Sequence, residues 1–197
     1  MNKLKMLLAS IAFAMGAGGA HAAVYYADKV IDANRGTCTI SAARCAQNGR
    51  LNTNNSLGTT DGSFYSLGLG GDLTVGFARS LFTGAANIRI FETTFGSIPG
   101  TNHFEAVDVW SVLAGVETFL GTITNLGGGG QVRSVAPFEY IKLVDVTRRE
   151  FAVTTSRDGF DTDSVSIAAV PLPATGILLL AGLGGMAAMR RRKNIAA

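Results

Sequence analysis

Between residues 73 and 168, apolar residues repeatedly alternate with polar or small residues at a period of two. Successive side chains of a β-strand point to opposite faces of a sheet, so this period predicts strands rather than helices. The alternation occurs in six segments rich in β-branched and aromatic residues: 73–77, 88–92, 107–112, 119–123, 140–144 and 165–168. No segment has the pattern of a long amphipathic helix, so this part of the chain is predicted to be all-β.

Turn-forming residues separate these segments. They lie at Asp61-Gly62, 70–72, 96–100, Ala114-Gly115, 127–130 and Asp158-Gly159. Strands joined by turns, without intervening helices, predict an antiparallel β-sandwich of the jelly-roll type. The glycine runs 68–71 and 127–130 lack the features of a phosphate-binding loop and are interpreted as turns. Residues 23–57, rich in Asn, Arg, Ala and Thr, are expected to form an irregular opening loop.

The first 22 residues have the organisation of a secretory signal peptide. Lys3 and Lys5 precede a short uncharged stretch, and Ala20-His21-Ala22 forms a small-residue cleavage site. We expect the Sec translocon to export the chain and signal peptidase to cut after Ala22, so that the mature protein starts at Ala23. The apolar stretch is too short for a comfortable membrane span, which needs about 20 residues.

The chain has two cysteines, Cys38 and Cys45, and both belong to the mature protein. In an oxidising compartment they are expected to form a local disulfide that closes a short loop. No further Cys or His lies nearby in the sequence to complete a metal site.

The C-terminal part predicts a membrane segment. Residues 168–189 form a stretch of 22 residues without a charge, interrupted by Pro171 and Pro173. A basic stop follows at once, made of Arg190, Arg191, Arg192 and Lys193. A short transmembrane helix with its basic end in the cytoplasm fits this order and leaves residues 23–170 outside the membrane. The expected organisation is therefore a signal peptide at 1–22, a β-sandwich domain at 23–169 and a sorting tail at 170–197.

This tail resembles the PEP-CTERM sorting tail. The resemblance is carried by the motif Val170-Pro171-Leu172-Pro173-Ala174, the apolar run 176–185 and the basic stop. It implies recognition by an exosortase, a membrane-embedded cysteine protease-transpeptidase of Gram-negative bacteria that make exopolysaccharide and biofilm. The protein would then pass transiently through the inner membrane and reach the cell surface or the extracellular matrix. Leu172 to Gly176 also fits the Leu-Pro-x-Thr-Gly signal of Gram-positive sortases, so a cell-wall-anchored sortase substrate is the alternative.

The charge of the predicted domain argues against nucleic acid as a partner. Residues 23–170 hold 11 basic and 14 acidic residues, a net charge of 11 − 14 = −3. The positive balance of the whole chain comes from its two ends, which serve targeting.

The middle of the chain also resembles the galactose-binding-like, discoidin-type jelly-roll domains of exported bacterial surface proteins. The segments that carry this resemblance are 56–75, 90–92, 120–122, 140–145 and 158–165. It implies glycan binding through loops and a structural calcium. Asp61, Glu92, Asp161 and Asp163 are the candidate calcium ligands, since calcium prefers several converging oxygen ligands. Residues 158–163 lack the spacing of an EF-hand loop, and residues 111–115 depart from the usual turn of these domains.

No residue is predicted to be catalytic. His103 is the one histidine of the mature chain, and no nucleophile motif accompanies it. Trp110 is suited either to the core or to stacking on a sugar, whereas Tyr25, Tyr26 and Tyr65 are the candidates for exposed ring contacts. The favoured function is a non-catalytic envelope or matrix protein that binds polysaccharide. A secreted β-sandwich glycan hydrolase that uses paired carboxylates is the alternative.

Overall fold

The computed structural model describes residues 23–93 and 102–170. Several predicted features lie outside these residues: the signal peptide with Ala20 and Ala22, the turn at 96–100, the sorting motif from Pro171 onward, the membrane helix and the basic stop. Among the described helices, none is long and apolar enough to cross a membrane.

Nine strands form the domain, and all of their pairings are antiparallel. They are β1 (Val24–Asn34), β2 (Tyr65–Ser66), β3 (Asp72–Phe77), β4 (Ala86–Glu92), β5 (Ala106–Leu113), β6 (Val116–Thr124), β7 (Gly129–Ser134), β8 (Tyr140–Asp145) and β9 (Asp161–Ala169). The helical elements are single turns: α1 (Ala42–Cys45), α2 (Thr147–Glu150) and the 3₁₀ turns Gln47–Gly49 and Thr53–Ser56. The six predicted strands and the antiparallel sandwich are thus confirmed.

The strands form two sheets that share β1. Sheet I has the order β6-β5-β8-β3-β1, and sheet II has the order β1-β9-β4-β7 with β2 added to β9. The first residues of β1 pair with β9, and the rest of the strand pairs with β3. At the other edge β6 and β7 approach closely, since a Cβ built on Gly130 would lie 3.0 Å from Cγ2 of Ile123. The result is a nearly closed sandwich.

The strand β1 corrects the prediction of an irregular loop over residues 23–57. Its inward positions include the small residues Ala27, which is fully buried, and Ala33. Charged residues between them weaken the apolar alternation that identifies a strand. A second correction concerns the glycine run 127–130, because Gly129 and Gly130 begin β7 and pair with β4. Only the first part of that run is a turn.

The core lies between the sheets and is made of the inward residues of each strand. Sheet I contributes Leu73, Val75, Val107, Val109, Ile141 and Leu143, and sheet II contributes Ile88, Ile90, Val165 and Ile167. Phenylalanines close one end of this core: Phe82 stacks on Phe138 with ring centroids 5.0 Å apart and meets Phe77 edge to face at 5.7 Å. Such pairs add about 1 kcal/mol each beyond the area they bury.

The two ends of the sandwich differ in what they carry. Ala23 and Val170 lie at the end closed by Phe82, because Ala23 accepts a hydrogen bond from Ala169 and Val170 donates one to Ala85. We call this the terminal end. The opposite end is formed by the segments 35–64, 67–71, 102–105, 125–128 and 146–160, and we call it the loop end.

We expect Gly71→Ala to destabilise the domain by about 2 kcal/mol, because the new methyl group overlaps backbone that has no room to move. A Cβ at Gly71 would lie 2.0 Å from the carbonyl oxygen of Leu67 and 2.3 Å from the amide nitrogen of Gly36. Gly84→Ala is the matched control, since a Cβ there meets nothing within 4 Å. Urea unfolding should show a large loss for Gly71→Ala and a change within about 1 kcal/mol for Gly84→Ala. Equal losses would contradict this account of the loop end.

Candidate functional site

The outward face of sheet I carries a continuous row of side chains across all five of its strands. The register places Phe119 beside Trp110, Trp110 beside Lys142, Lys142 beside Thr74 and Thr74 beside Asp32. The alternate residues on these strands, such as Val109 and Leu143, belong to the core. We call this set the outer row; strict alternation directs its members away from the core.

Two aromatic residues occupy one end of the outer row. The rings of Trp110 and Phe119 are tilted against each other with centroids 5.1 Å apart. Phe119 is 48% exposed and Trp110 is half-buried. A bulge at Leu120 aligns the two rings, because Val109 pairs with Gly121 while Trp110 pairs with Phe119.

Charged side chains flank this aromatic pair on both sides. The Lys142 ammonium donates a hydrogen bond to Glu117 at 2.8 Å, and this bond raises the pKa of Lys142. On the other side, Arg149 donates two hydrogen bonds to Asp108, at 2.6 and 2.8 Å. Burial opposes the charge on Asp108, but the hydrogen bonds from Arg149 and Thr122 outweigh it and lower the pKa of this carboxyl. The raised pKa of Lys142 and the lowered pKa of Asp108 both favour the charged form, which keeps the rim of the aromatic pair polar.

The far end of the outer row is rich in oxygen atoms. Asn34 donates hydrogen bonds to Asp32 and Asp72 at 3.3 and 3.5 Å, on the strands β1 and β3. The face therefore combines an apolar ring surface with carboxylate and amide groups, which can accept and donate hydrogen bonds.

At the loop end, acidic side chains are buried and bonded within the protein. Asp158 forms an ion pair with Arg50, and Asp161 accepts a hydrogen bond from Ser66 at 2.6 Å. Glu105 accepts from Ser156 at 2.7 Å and lies 3.0 Å from Nε2 of His103. Each of these three carboxylates is at most 4% exposed. Burial raises the pKa of both Glu105 and Asp161. The acids thus join loops to strands instead of facing solvent.

The predicted calcium ligands occupy two neighbouring parts of this end. Asp163 accepts hydrogen bonds from the backbone of Asp61 and Gly62, at 3.2 and 3.1 Å, and from Thr93. Asp161 faces Ser66 instead, whereas Glu92 is buried on β4. Within residues 23–93 and 102–170, no three His, Cys, Asp or Glu side chains are arranged to hold a metal ion. The calcium site stays a prediction.

The disulfide between Cys38 and Cys45 is confirmed, with its two Cα atoms 6.2 Å apart. It closes the loop that precedes and includes α1.

Three tyrosines were expected at the surface, and for Tyr65 this prediction is wrong. Its side chain is only 2% exposed and belongs to the core. It lies on the short strand β2, which pairs with β9 under the loop end, and the turn-rich sequence around it hides this pairing. Tyr25 is half-buried, packs edge to face on Phe82 at 5.4 Å and lies under Arg79. Tyr26 is 38% exposed. The aromatic pair of Trp110 and Phe119 was missed as a unit, and the one sequence signal of the bulge that aligns the rings is Gly121 within β6.

The contact between His103 and Glu105 predicts a pH-dependent stability. The hydrogen bond to Glu105 raises the pKa of His103 above its ordinary value of 6.5. Its stabilising effect is therefore complete below the unfolded pKa and is lost as the pH rises through the folded pKa. We expect His103→Gln to cost about 1 kcal/mol more at pH 6 than at pH 9 in urea unfolding. A cost that does not change with pH would contradict the assignment.

Solved structures similar to this chain include two carbohydrate-binding modules. One is the family 32 carbohydrate-binding module from Streptococcus pneumoniae EndoD, with 16% identity over 68% of this chain and 93% of that chain and a TM-score of 0.43. The other is a module described as GH31 CBM32-2 bound to GalNAc, with 12% identity, coverage of 76% and 99%, and a TM-score of 0.36. Similarities at this level carry no inference about the ligand of this chain. No curated protein shows significant similarity to it.

The C-terminal residues give a more specific result. Residues 169–193 match the model of the PEP-CTERM protein-sorting motif, and they begin at the last residue of β9. The motif implies an exported protein that is sorted to the cell surface. The chain thus joins an antiparallel β-sandwich directly to a PEP-CTERM protein-sorting motif.

Proposed function

We propose that this protein is a non-catalytic component of the envelope or extracellular matrix of a Gram-negative bacterium, and that it binds polysaccharide on the outward face of sheet I. The observation that carries the binding role is the exposed pair of Trp110 and Phe119 at the end of a row of polar side chains. An exosortase processes the tail and delivers the domain to the cell surface or the matrix.

The chemistry of the outer row suits a sugar polymer. A sugar ring has an apolar face of C–H groups, which stacks on an aromatic ring, and a rim of hydroxyl groups, which bond to carboxylates and amides. Trp110 and Phe119 supply the aromatic surface. Asp32 and Asn34 supply a carboxylate and an amide on the same sheet. An aromatic pair that has one exposed ring and is bordered by the ion pairs of Lys142 with Glu117 and of Arg149 with Asp108 is typical of an interaction site.

The dimensions of the face favour an extended chain over a single sugar. The outer row crosses five strands, and neighbouring strands lie about 4.8 Å apart, so the row is about 19 Å long. Phe119 is exposed at one end of this row and Asp32 at the other, so an extended polymer can contact the row at more than one point.

The arrangement of the acids gives no support to the hydrolase alternative. A glycosidase needs two carboxyl groups that flank the scissile bond of a bound sugar. Glu105, Asp158 and Asp161 are instead enclosed and bonded to other side chains. On the outward face of sheet I, Glu117 is paired with Lys142, and Asp32 accepts a hydrogen bond from Asn34.

Phe119→Ala should weaken binding of the exopolysaccharide purified from the producing bacterium by about tenfold, through the loss of roughly 1 to 1.5 kcal/mol of ring contact. Affinity electrophoresis in gels that contain the polysaccharide measures the effect. Trp110→Ala should act in the same direction. Tyr26→Ala is the matched control, because it removes an exposed aromatic side chain from the part of β1 that pairs with β9 in sheet II. Equal binding by all three variants and the wild type would rule out this face as the site.

Intact mass spectrometry tests the sorting step. In cells that contain the exosortase, the protein should start at Ala23 and be shortened near residues 171–174. In cells without the enzyme, the C-terminus should retain Arg190 to Lys193. The same C-terminus in both strains would contradict processing by an exosortase, whatever the protein binds.

A further inference from the structure

The segment 35–57 contrasts in charge with the rest of the domain. It contains Arg35, Arg44 and Arg50 and no acidic residue, whereas residues 23–170 as a whole carry 11 basic and 14 acidic residues. This segment belongs to the loop end. The surplus of acidic residues therefore lies elsewhere in the domain.

The disulfide loop brings three exposed arginines to one place. Arg35 donates a hydrogen bond to the carbonyl of Cys45 at 3.4 Å, next to Arg44 in the chain. On the other side of the loop, the backbone amide of Thr39 donates to the carbonyl of Arg157 at 2.8 Å. Arg35 therefore contacts the loop closed by Cys38 and Cys45, Arg44 lies within it, and the backbone of Arg157 borders it at Thr39. We call these three residues the arginine group.

The guanidinium groups of Arg44 and Arg157 are available to a ligand. Both residues are exposed, and no ion pair or hydrogen bond within residues 23–93 and 102–170 engages either side chain. The nearby carboxylates are turned inward: Asp158 pairs with Arg50, and Glu105 lies against His103. The surface at this place thus presents cations, while the anions lie beneath it.

We propose that the arginine group binds the acidic groups of an anionic polysaccharide, such as the carboxylates of a uronic-acid polymer. This inference rests on the proposed function and names the class of glycan that the domain takes. Guanidinium groups bind carboxylates through two parallel hydrogen bonds, and several of them along one surface suit a polymer with a charge on each repeat.

The position of the arginine group favours a matrix polymer over membrane lipid. Ala23 and Val170 lie at the terminal end, and the sorting motif begins at residue 169. The arginine group lies at the opposite end of the sandwich, away from the point where the chain leaves the domain for its membrane-directed tail.

The test uses the full chain in mild detergent and two probes, alginate as a polyuronate and dextran as a neutral polymer. Affinity electrophoresis should show retention by alginate that weakens as salt is raised, because exposed charges are screened. The double variant Arg44→Glu, Arg157→Glu should bind alginate at least about tenfold more weakly. Arg133→Glu is the matched control, since it reverses another exposed arginine, on β7. It should bind as the wild type does.

The outcomes separate the two proposals. If the double variant and the wild type retain alginate equally, the arginine group is not the site, while loss of binding in Phe119→Ala would still uphold the proposed function. If the wild type binds neither alginate, dextran nor the exopolysaccharide of the producing bacterium, the proposed function fails. If phosphatidylglycerol in mixed micelles releases the protein from alginate and free galacturonate oligomers do not, an acidic lipid is the partner and the inference is overturned.

Discussion

The buried carboxylate of Asp145 binds several segments of the loop end at once. It accepts hydrogen bonds from the backbone of Gly70 at 3.0 Å and Phe160 at 2.8 Å, and from the hydroxyl of Thr147 at 2.7 Å. Burial raises the pKa of Asp145 in spite of these bonds. Two loops, those of Gly70 and Phe160, thus meet the end of β8 and the turn at Thr147 that follows it. Since a buried carboxylate is costly unless its oxygens are bonded, each of these loops depends on the presence of the others.

This arrangement explains why several acidic residues of the loop end are buried, while Arg35, Arg44 and Arg157 face solvent. The interior needs acceptors for backbone amides that no sheet satisfies, and carboxylates supply them. Asp163 performs the same task for the turn at Asp61 and Gly62. With the acids used internally, the exposed charge of segment 35–57 comes from arginine alone. The charge of this surface is therefore a consequence of how the loops are folded.

Much of the fold could be predicted from the sequence, because the inward residues of six strands are large and apolar. The strands that were not predicted either have small residues at their inward positions or pair with a strand that is distant in sequence. In β1 the inward positions include Ala27 and Ala33, and β7 begins with Gly129, so neither shows a clear alternation. Tyr65 is buried only because β2 pairs with β9 across a long stretch of sequence. The disulfide was predictable because both cysteines lie close together in an exported chain.

The candidate site depends on register, which local patterns do not specify. Trp110 alone fits the core or the surface equally well, and its position beside Phe119 follows from a bulge of one residue at Leu120. Without that bulge Trp110 would lie opposite Leu120, and Phe119 would turn to the other face of the sheet, since a shift of one residue reverses the direction of every following side chain. The strand β6 can accept the bulge because it is an edge strand of sheet I, where only β5 constrains its pairing. The aromatic pair thus lies at an edge of sheet I, where β6 is hydrogen-bonded to a neighbouring strand on one side only.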